Sequence, residues 1–222
     1  MERRPIHGDW SLYVITDAAV IGDRPLPEVV EAALRGGAGV VQYREKKKST
    51  RRMVEEAAAL AALCRRYGAV FIVNDRIDVA LAVDADGVHL GQDDMPLHVA
   101  RRLLGPNRLI GVTVHNRREI EEAERGGADY ISLAPVFATP TKPDHQPPMG
   151  VEGLKRLMEG VTCPAVAIGG INADNIADVI RTGVKGVCVV SAVLGRDDPE
   201  DAARTLRRLI NEARLTPLSN RP

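Results

Sequence analysis

Aromatic residues are scarce. Phe, Tyr and Trp together make up 3% of the 222 residues, which leaves no stacking platform for single-stranded bases. Net charge is missing as well, because 30 Lys plus Arg offset 30 Asp plus Glu. No overall field draws in nucleic acid or an anionic membrane, so neither is expected as a partner, and any anion recognition must be local. The three cysteines, Cys64, Cys163 and Cys188, are odd in number and far apart, with no C-x-x-C pair. A disulfide framework is excluded and a reduced, cytoplasmic compartment is expected. No apolar run reaches the length of a membrane span. Residues 1–10, with Arg3, Arg4, Pro5 and Asp9, lack the apolar core of a signal peptide. No His–Cys cluster has ligand spacing, which argues against zinc. Lone serines and threonines without a paired base give no nucleophile triad.

What is present reads as a repeating α/β unit. Hydrophobic content is 45% and charged content 27%, enough to bury a sizeable core in a soluble enzyme. Short apolar runs, mostly rich in Val or Ile, occupy residues 12–16, 40–44, 70–74, 87–90, 109–113, 130–133, 165–168 and 186–190. Such runs suit strands buried on both faces of a parallel sheet. Helical patterns lie between them. Met53, Ala57, Leu60, Cys64 and Tyr67 recur at alternating spacings of four and three, and Ala202, Leu206, Leu209, Ile210 and Ala213 form a second stripe. Pro199 behind Asp198 suits a first helical turn, and Asn116 with Glu119 resembles a capping box.

A weak internal repeat strengthens this reading. Arg35-Gly36-Gly37-Ala38-Gly39-Val40 resembles Arg125-Gly126-Gly127-Ala128-Asp129-Tyr130, and residues 182–187 share the rhythm. Each reads as a helix-capping glycine, a small spacer and a strand. Eight such units in this length predict a single (β/α)₈ TIM barrel over residues 1–222, with 1–10 as an N-terminal extension and 215–222 as a frayed tail. An open doubly wound sheet is the alternative. The longest irregular stretch, 134–150, holds Pro135, Pro140, Pro143, Pro147 and Pro148. A loop of that length in a compact domain is usually functional or disordered.

In a parallel barrel the site lies at the carboxyl ends of the strands. Those ends read Gln42, Arg44 and Lys46; then Asn74 and Asp75; then Gln92, Asp93 and Asp94; then Thr113 and His115. Thr139, Thr141 and Lys142 lie in the sixth loop, Gly169 and Gly170 follow the seventh strand, and Ser191 the eighth. Glycines let backbone approach a phosphate, and amides at a helix start point at it. Each feature also has a plainer reading. The 42–48 cluster could be a solvated charge run, Gly-Gly a common turn, and Asp75 and Asp94 helix caps. Taken together with Arg44, Lys46 and Lys142, the two carboxylates instead suggest Mg²⁺ shared with a diphosphate. For His89 a packed or supporting role is favoured over chemistry, and His115 is left open between the two. His7, His98 and His145 belong to no constellation.

These motifs together resemble the thiamine-phosphate synthase family. The resemblance runs from Tyr13-Val14-Ile15-Thr16-Asp17 to Val189-Val190-Ser191-Ala192-Val193. Its most specific pieces are Gln42-Tyr43-Arg44-Glu45-Lys46, Val73-Asn74-Asp75-Arg76, residues 86–94, Thr139-Pro140-Thr141-Lys142 and Ala167-Ile168-Gly169-Gly170-Ile171. It implies a (β/α)₈ transferase of thiamine biosynthesis. Such an enzyme joins a hydroxymethylpyrimidine diphosphate to a thiazole phosphate, with loss of pyrophosphate. Carried over by motif, Gln42, Tyr43, Arg44, Glu45, Lys46, Asn74, Thr113 and Lys142 would hold the pyrimidine diphosphate. Thr139, Pro140, Thr141, Gly170, Val190 and Ser191 would hold the thiazole phosphate. Asp75 and Asp94 would bind one Mg²⁺, and Arg44, Lys46 and Lys142 would carry the catalysis. Thr113 stands where the family often has Ser, and Ala134-Pro135 where Gly-Pro is frequent. The expected partners are the two small-molecule substrates; homo-oligomerisation is left open. A sister family of thiazole tautomerases and a non-catalytic regulatory barrel are the rivals. Both should lack some of Arg44, Lys46, Asp75, Asp94 and Lys142, and all five are present.

Overall fold

The structure, a computed structural model, describes residues 7–139 and 146–215. Eight parallel strands close on themselves in chain order: β1 Leu12–Ile15, β2 Val40–Tyr43, β3 Val70–Asn74, β4 Gly87–Leu90, β5 Leu109–Val114, β6 Tyr130–Leu133, β7 Ala165–Ile168 and β8 Gly186–Val189. β8 pairs back onto β1 through Tyr13 and Cys188. Each strand matches its apolar run to within one residue. The helices are α1 Ala18–Ile21, α2 Leu26–Arg35, α3 Thr50–Tyr67, α4 Ile77–Ala82, α5 Leu97–Leu104, α6 Arg117–Gly126, α7 Gly150–Met158, α8 Ile176–Arg181, α9 Ser191–Leu194 and α10 Pro199–Leu215. The result is a closed TIM barrel.

Local chemistry sets the helix limits. Ser49 accepts the Arg52 N–H at the start of α3, and Gly68, at φ 65°, ends it in the left-handed conformation. Asn116 Oδ1 accepts the Glu119 N–H at 3.0 Å, as a capping box requires. The return bond lands one residue early, since Glu119 accepts the His115 N–H at 2.8 Å. Asp198 accepts the Asp201 N–H ahead of α10. The predicted stripes are shifted at two points. Ala203, not Ala202, faces the core of α10, and Tyr67 lies at the surface with its hydroxyl on Glu31.

The side-chain period of two along each strand divides the core. One set of residues, including Leu12, Val14, Val41, Phe71, Val73, Val88 and Leu90, packs under the helices. Each fully buried aliphatic chain there is worth roughly 1.5–3 kcal/mol. The other set fills the barrel: Trp10, Tyr13, Ile15, Val40, Val70, Ile72, Tyr130, Val166 and Cys188. Trp10, from the expected N-terminal extension, is 1% exposed and tilts against the Tyr130 ring at 4.7 Å. Tyr130 fits because Gly111 lies beside it; a Cβ there would meet the ring at 2.0 Å. The predicted tail begins at Leu215, the last described residue, which is 83% exposed.

Candidate active site

A cavity of about 750 Å³ opens at the carboxyl ends of the strands. Gln42, Arg44, Lys46, Asn74, Asp94 and Thr113 line it from the β2 to β5 side. Thr139, Gly170, Val190 and Ser191 line it from the β6 to β8 side. The ends of seven successive strands, β2 to β8, thus deliver predicted residues to one rim. Pro140, Thr141 and Lys142 lie outside the described residues.

Three of the described predicted residues are not in the cavity wall: Tyr43 and Glu45 point elsewhere, and Asp75 stands behind Lys46 and Asp94, which are in it. Tyr43 follows Gln42, so the strand's alternation turns it out of the barrel and under α3. Its hydroxyl donates to Glu56 at 2.9 Å, and burial followed by the Glu56 bond pushes its pKa up. Glu45 folds back on its own turn, where its Oε1 accepts the N–H groups of Lys46 and Lys47, both at 2.7 Å. Burial alone would raise the Glu45 carboxyl, but the backbone N–H groups of Lys47 and Lys46 more than offset it and hold it low. Neither residue lines the cavity; Glu45 shapes the turn that carries Lys46.

The cations and carboxylates interlock. Arg44 Nη1 lies 2.9 Å from Asp17 Oδ2, and its backbone N–H donates to Thr16 Oγ1 at 2.9 Å. Lys46 Nζ contacts Asp75 Oδ2. Asp75 has φ 58°, a left-handed conformation rare outside glycine. It caps nothing: α4 starts behind Arg76 with no side-chain cap, and α5 behind Pro96 likewise. The cap reading of Asp75 and Asp94 therefore fails. Asp94 instead accepts the Gly91 N–H at 2.7 Å and meets Asp75 carboxyl to carboxyl. Burial and then the Asp94 carboxyl raise Asp75, with Lys46 opposing. Burial would raise Asp94 too, yet the bonds from Asp75 and Gly91 keep it low, so the two neighbouring carboxyls shift in opposite directions. Two hard carboxylates in contact fit a divalent cation. Among the described residues no group of three or more His, Cys, Asp or Glu assembles. The remaining positions around such a cation are left for phosphate or water oxygens, which is the habit of Mg²⁺.

Across the rim, the Gly169–Gly170 turn does two things. Its backbone, at φ 110° and 61°, accepts the β6 loop: Val136 N–H donates to Ile168 O at 2.8 Å and Phe137 N–H to Gly169 O at 2.9 Å. A Cβ on Gly169 would stand 2.7 Å from Pro135, and one on Gly170 2.5 Å from the Ala138 carbonyl. The glycines thus bring the 135–139 segment against β7. Asn175 Nδ2 braces the turn by donating to Gly170 O at 3.0 Å.

Beneath the mouth, polar side chains run across the barrel. Gln42 Nε2 donates to Tyr13 Oη at 2.6 Å; the Tyr13 and Tyr130 hydroxyls are 3.0 Å apart. Tyr130 Oη is 3.0 Å from His89 Nδ1, and His89 Nε2 is 2.8 Å from Thr113 Oγ1. His89 thus joins Tyr130 to Thr113 at the floor of the cavity. His115 lines the mouth with Nδ1 2.8 Å from Glu119 Oε2. Tyr13, Tyr130 and Asp17 stand in quoted motifs but receive no site role from the sequence. Alternation from Ile15 would have turned Tyr13 inward, but nothing local marks Asp17 as the Arg44 partner.

The fold and the rim define a (β/α)₈ barrel enzyme whose mouth is lined by Arg44 and Lys46 on one side and a Gly-Gly turn on the other. Comparison with known proteins narrows this. The thiamine monophosphate synthase family matches residues 12–193. The thiamine-phosphate synthase of Chloroflexus aurantiacus is 58% identical over 203 residues, covering 91% of this chain and 94% of that protein. That of Archaeoglobus fulgidus is 52% identical over 200 residues, covering 90% and 93%. The solved thiamine phosphate pyrophosphorylase of Pyrococcus furiosus superposes with a TM-score of 0.85 at 46% identity, covering 92% of this chain and 97% of that one. The chain belongs to the thiamine monophosphate synthase family and is a transferase of thiamine biosynthesis. Among the described residues no helix is long and apolar enough to cross a membrane.

Proposed function

We propose that this single barrel condenses 4-amino-2-methyl-5-(diphosphooxymethyl)pyrimidine with a thiazole phosphate, giving thiamine phosphate and pyrophosphate. The thiazole nitrogen forms the new bond to the exocyclic methylene as the carbon–oxygen bond to diphosphate breaks, and the bonding pair leaves with pyrophosphate. The observation that carries this reading is the convergence of Arg44, Lys46 and Asp94 on one half of a cavity, with Asp75 in contact with both Lys46 and Asp94 behind that wall. Gly170 and Ser191 lie on the other half.

The two halves suit two substrates. Gln42, Asn74 and Thr113 would hold the pyrimidine, and Arg44 and Lys46 would meet its diphosphate. Lys142 is assigned to the same diphosphate from its motif. Thr139, Pro140, Thr141, Gly170, Val190 and Ser191 would hold the thiazole phosphate, whose nitrogen then faces the methylene across the barrel axis. Fixed positive groups aimed at charge that grows on the leaving oxygen give the electrostatic part of the rate. One Mg²⁺ held by Asp75 and Asp94 would supply Lewis-acid neutralisation of the departing diphosphate. The aminopyrimidine spreads the positive charge left on carbon, so no strong base is required. The cation and carboxylate set supports displacement of a diphosphate over the tautomerase alternative, which would have no use for it.

The test is direct. Purified protein is incubated with both substrates and Mg²⁺, and products are followed by chromatography and pyrophosphate release. Thiamine phosphate and pyrophosphate should appear in equal amounts. Isomerised thiazole phosphate without pyrophosphate would overturn the proposal.

A further inference from the structure

The five side chains beneath the mouth come from five different strands. Gln42, Tyr13, Tyr130, His89 and Thr113 are joined end to end by contacts of 2.6, 3.0, 3.0 and 2.8 Å. Gln42 and His89 are 2% and 7% exposed, and both tyrosines are fully buried. Tyr13, Gln42 and His89 meet the cavity floor with little exposed surface, so the chain's hydrogens are shared chiefly within it. Burial pushes both phenols up, so each keeps one hydrogen to give.

With a neutral imidazole at His89, a chain of this kind is satisfied in only two ways, each with all its hydrogens pointing in one direction. In the structure Gln42 donates. Tyr13, having accepted, gives its hydrogen to Tyr130, and Tyr130 gives its own to His89 Nδ1. His89 Nδ1 then carries no hydrogen, Nε2 does, and Nε2–H donates to Thr113. In the opposite sense Gln42 accepts through its carbonyl, and every later bond reverses as far as a His89 hydrogen on Nδ1. The amide orientation of Gln42 and the tautomer of His89 are therefore one variable.

That variable decides what the cavity shows to a heterocycle. With Nε2 on Tyr13, Gln42 keeps its carbonyl oxygen and one N–H for the cavity it lines. An adjacent acceptor and donor match the ring nitrogen and amino group of an aminopyrimidine, as glutamine matches adenine. In the reversed sense the carbonyl is committed to Tyr13 and the amide leads with hydrogens, which suits an oxo group. We propose that the Gln42–Tyr13–Tyr130–His89–Thr113 chain is a one-way hydrogen-bond relay that holds His89 as the neutral Nε2–H tautomer and thereby selects an aminopyrimidine over its oxo analogue. This rests on the assignment of Gln42 to the pyrimidine. Tyr13, Tyr130 and His89 act as positioning residues, through Gln42.

The experiment has two independent arms. In the first, full-length protein labelled with ¹⁵N on its histidines is studied at pH 7.5 by long-range ¹H–¹⁵N correlation. His89 is assigned by its loss in His89→Gln. His89 should show a protonated Nε2 and a bare Nδ1, and Tyr130→Phe should convert it to a mixture of tautomers. A hydrogen on Nδ1, an imidazolium, or no response to Tyr130→Phe would overturn the relay whether or not the protein turns substrate over. In the second arm, Tyr13→Phe and Tyr130→Phe are assayed singly and together. Each should raise KM for the pyrimidine diphosphate roughly three- to tenfold, the worth of about one hydrogen bond, while KM for thiazole phosphate stays within about twofold. Discrimination against the 4-oxo pyrimidine diphosphate should fall in parallel. Because either break interrupts one relay, the double variant should be no worse than the poorer single. Additive losses, or equal changes in both KM values that track the melting temperature, would show a merely structural role. A wild-type protein with the expected tautomer but no synthase turnover would instead count against the proposed reaction alone.

Discussion

Asp17 holds two things at once. Its Oδ2 takes the Arg44 guanidinium at 2.9 Å, while Oδ1 accepts the Ala19 N–H at 3.0 Å at the start of α1. The β1 loop thus aims the cation of the β2 loop at the mouth. Asp17→Ala should lower stability by about 1 kcal/mol through the lost cap and raise KM for the pyrimidine diphosphate by freeing Arg44. Asp17→Asn keeps an acceptor for the cap and loses only the charge. It should melt close to wild type yet retain the kinetic defect. Melting curves and steady-state kinetics on the two variants separate the roles; equal kinetics in Asp17→Asn and wild type would free Arg44 of this dependence.

Asp75 combines a left-handed backbone, a neighbouring carboxylate and no capping bond. Each is unfavourable for folding by itself, so its justification is functional. Asp75→Gly relieves the backbone, worth roughly 1–2 kcal/mol, against roughly 0.5–1 kcal/mol of added chain entropy. Its melting temperature should match or exceed wild type while Mg²⁺-dependent turnover collapses. Asp94→Ala should lose the Mg²⁺ dependence and also loosen its own turn, because its Oδ2 accepts the Gly91 N–H. Titration of activity with Mg²⁺ after chelation is the check. Wild-type turnover that survives thorough chelation would remove the metal from the reaction.

Lys142 and His115 divide charge stabilisation from base catalysis. A positive group meeting the developing diphosphate in a closed site is worth roughly 10²–10³ in rate, so Lys142→Ala should cost that much in kcat. Binding of thiazole phosphate, measured by calorimetry, should be nearly unchanged. His115 lies at the mouth but leans on Glu119, and His115→Ala should cost much less. The opposite ranking would point to base chemistry on a thiazole in place of displacement on a pyrimidine.

Glu45 gives a pH signature. Its folded pKa lies below the ordinary 4.5, because backbone N–H groups outweigh burial. A depressed carboxylate contributes stability that is fully present above the unfolded value and lost as pH falls through the folded one. Wild type should therefore melt higher than Glu45→Ala at neutral pH, and the two curves should converge in acid below about 4. A gap that stays constant with pH would show that the turn closes without the charge.

The strands were legible because a barrel strand is covered on both faces and must be apolar throughout, whichever way each residue points. Hence 70–74, 87–90 and 130–133 are read to the residue, and Gln42, Asn74 and Thr113 follow as the polar ends of such runs. The same continuous hydrophobicity hides the alternation, so nothing local corrects the assignment that Tyr43 takes from its motif, although it packs on α3 against Glu56. Asp75 and Asp94 could equally cap helices in a linear reading; only the φ of Asp75 and their mutual contact decide.

By itself the sequence determined the number of βα units, their limits and the polar rim, because these depend on residues within one turn or one strand of each other. Tertiary structure alone decided how that rim is wired. Tyr13 and Tyr130 meet at 3.0 Å across 117 residues only because β1 and β6 both point inward and Gly111 leaves room for a ring. Arg44 finds Asp17 only because β1 and β2 are neighbours with Ile15 opposite Gln42. Hydrogen bonds and ion pairs act over about 3 Å, so partners far apart in sequence become visible only once closure of the barrel brings them within that reach.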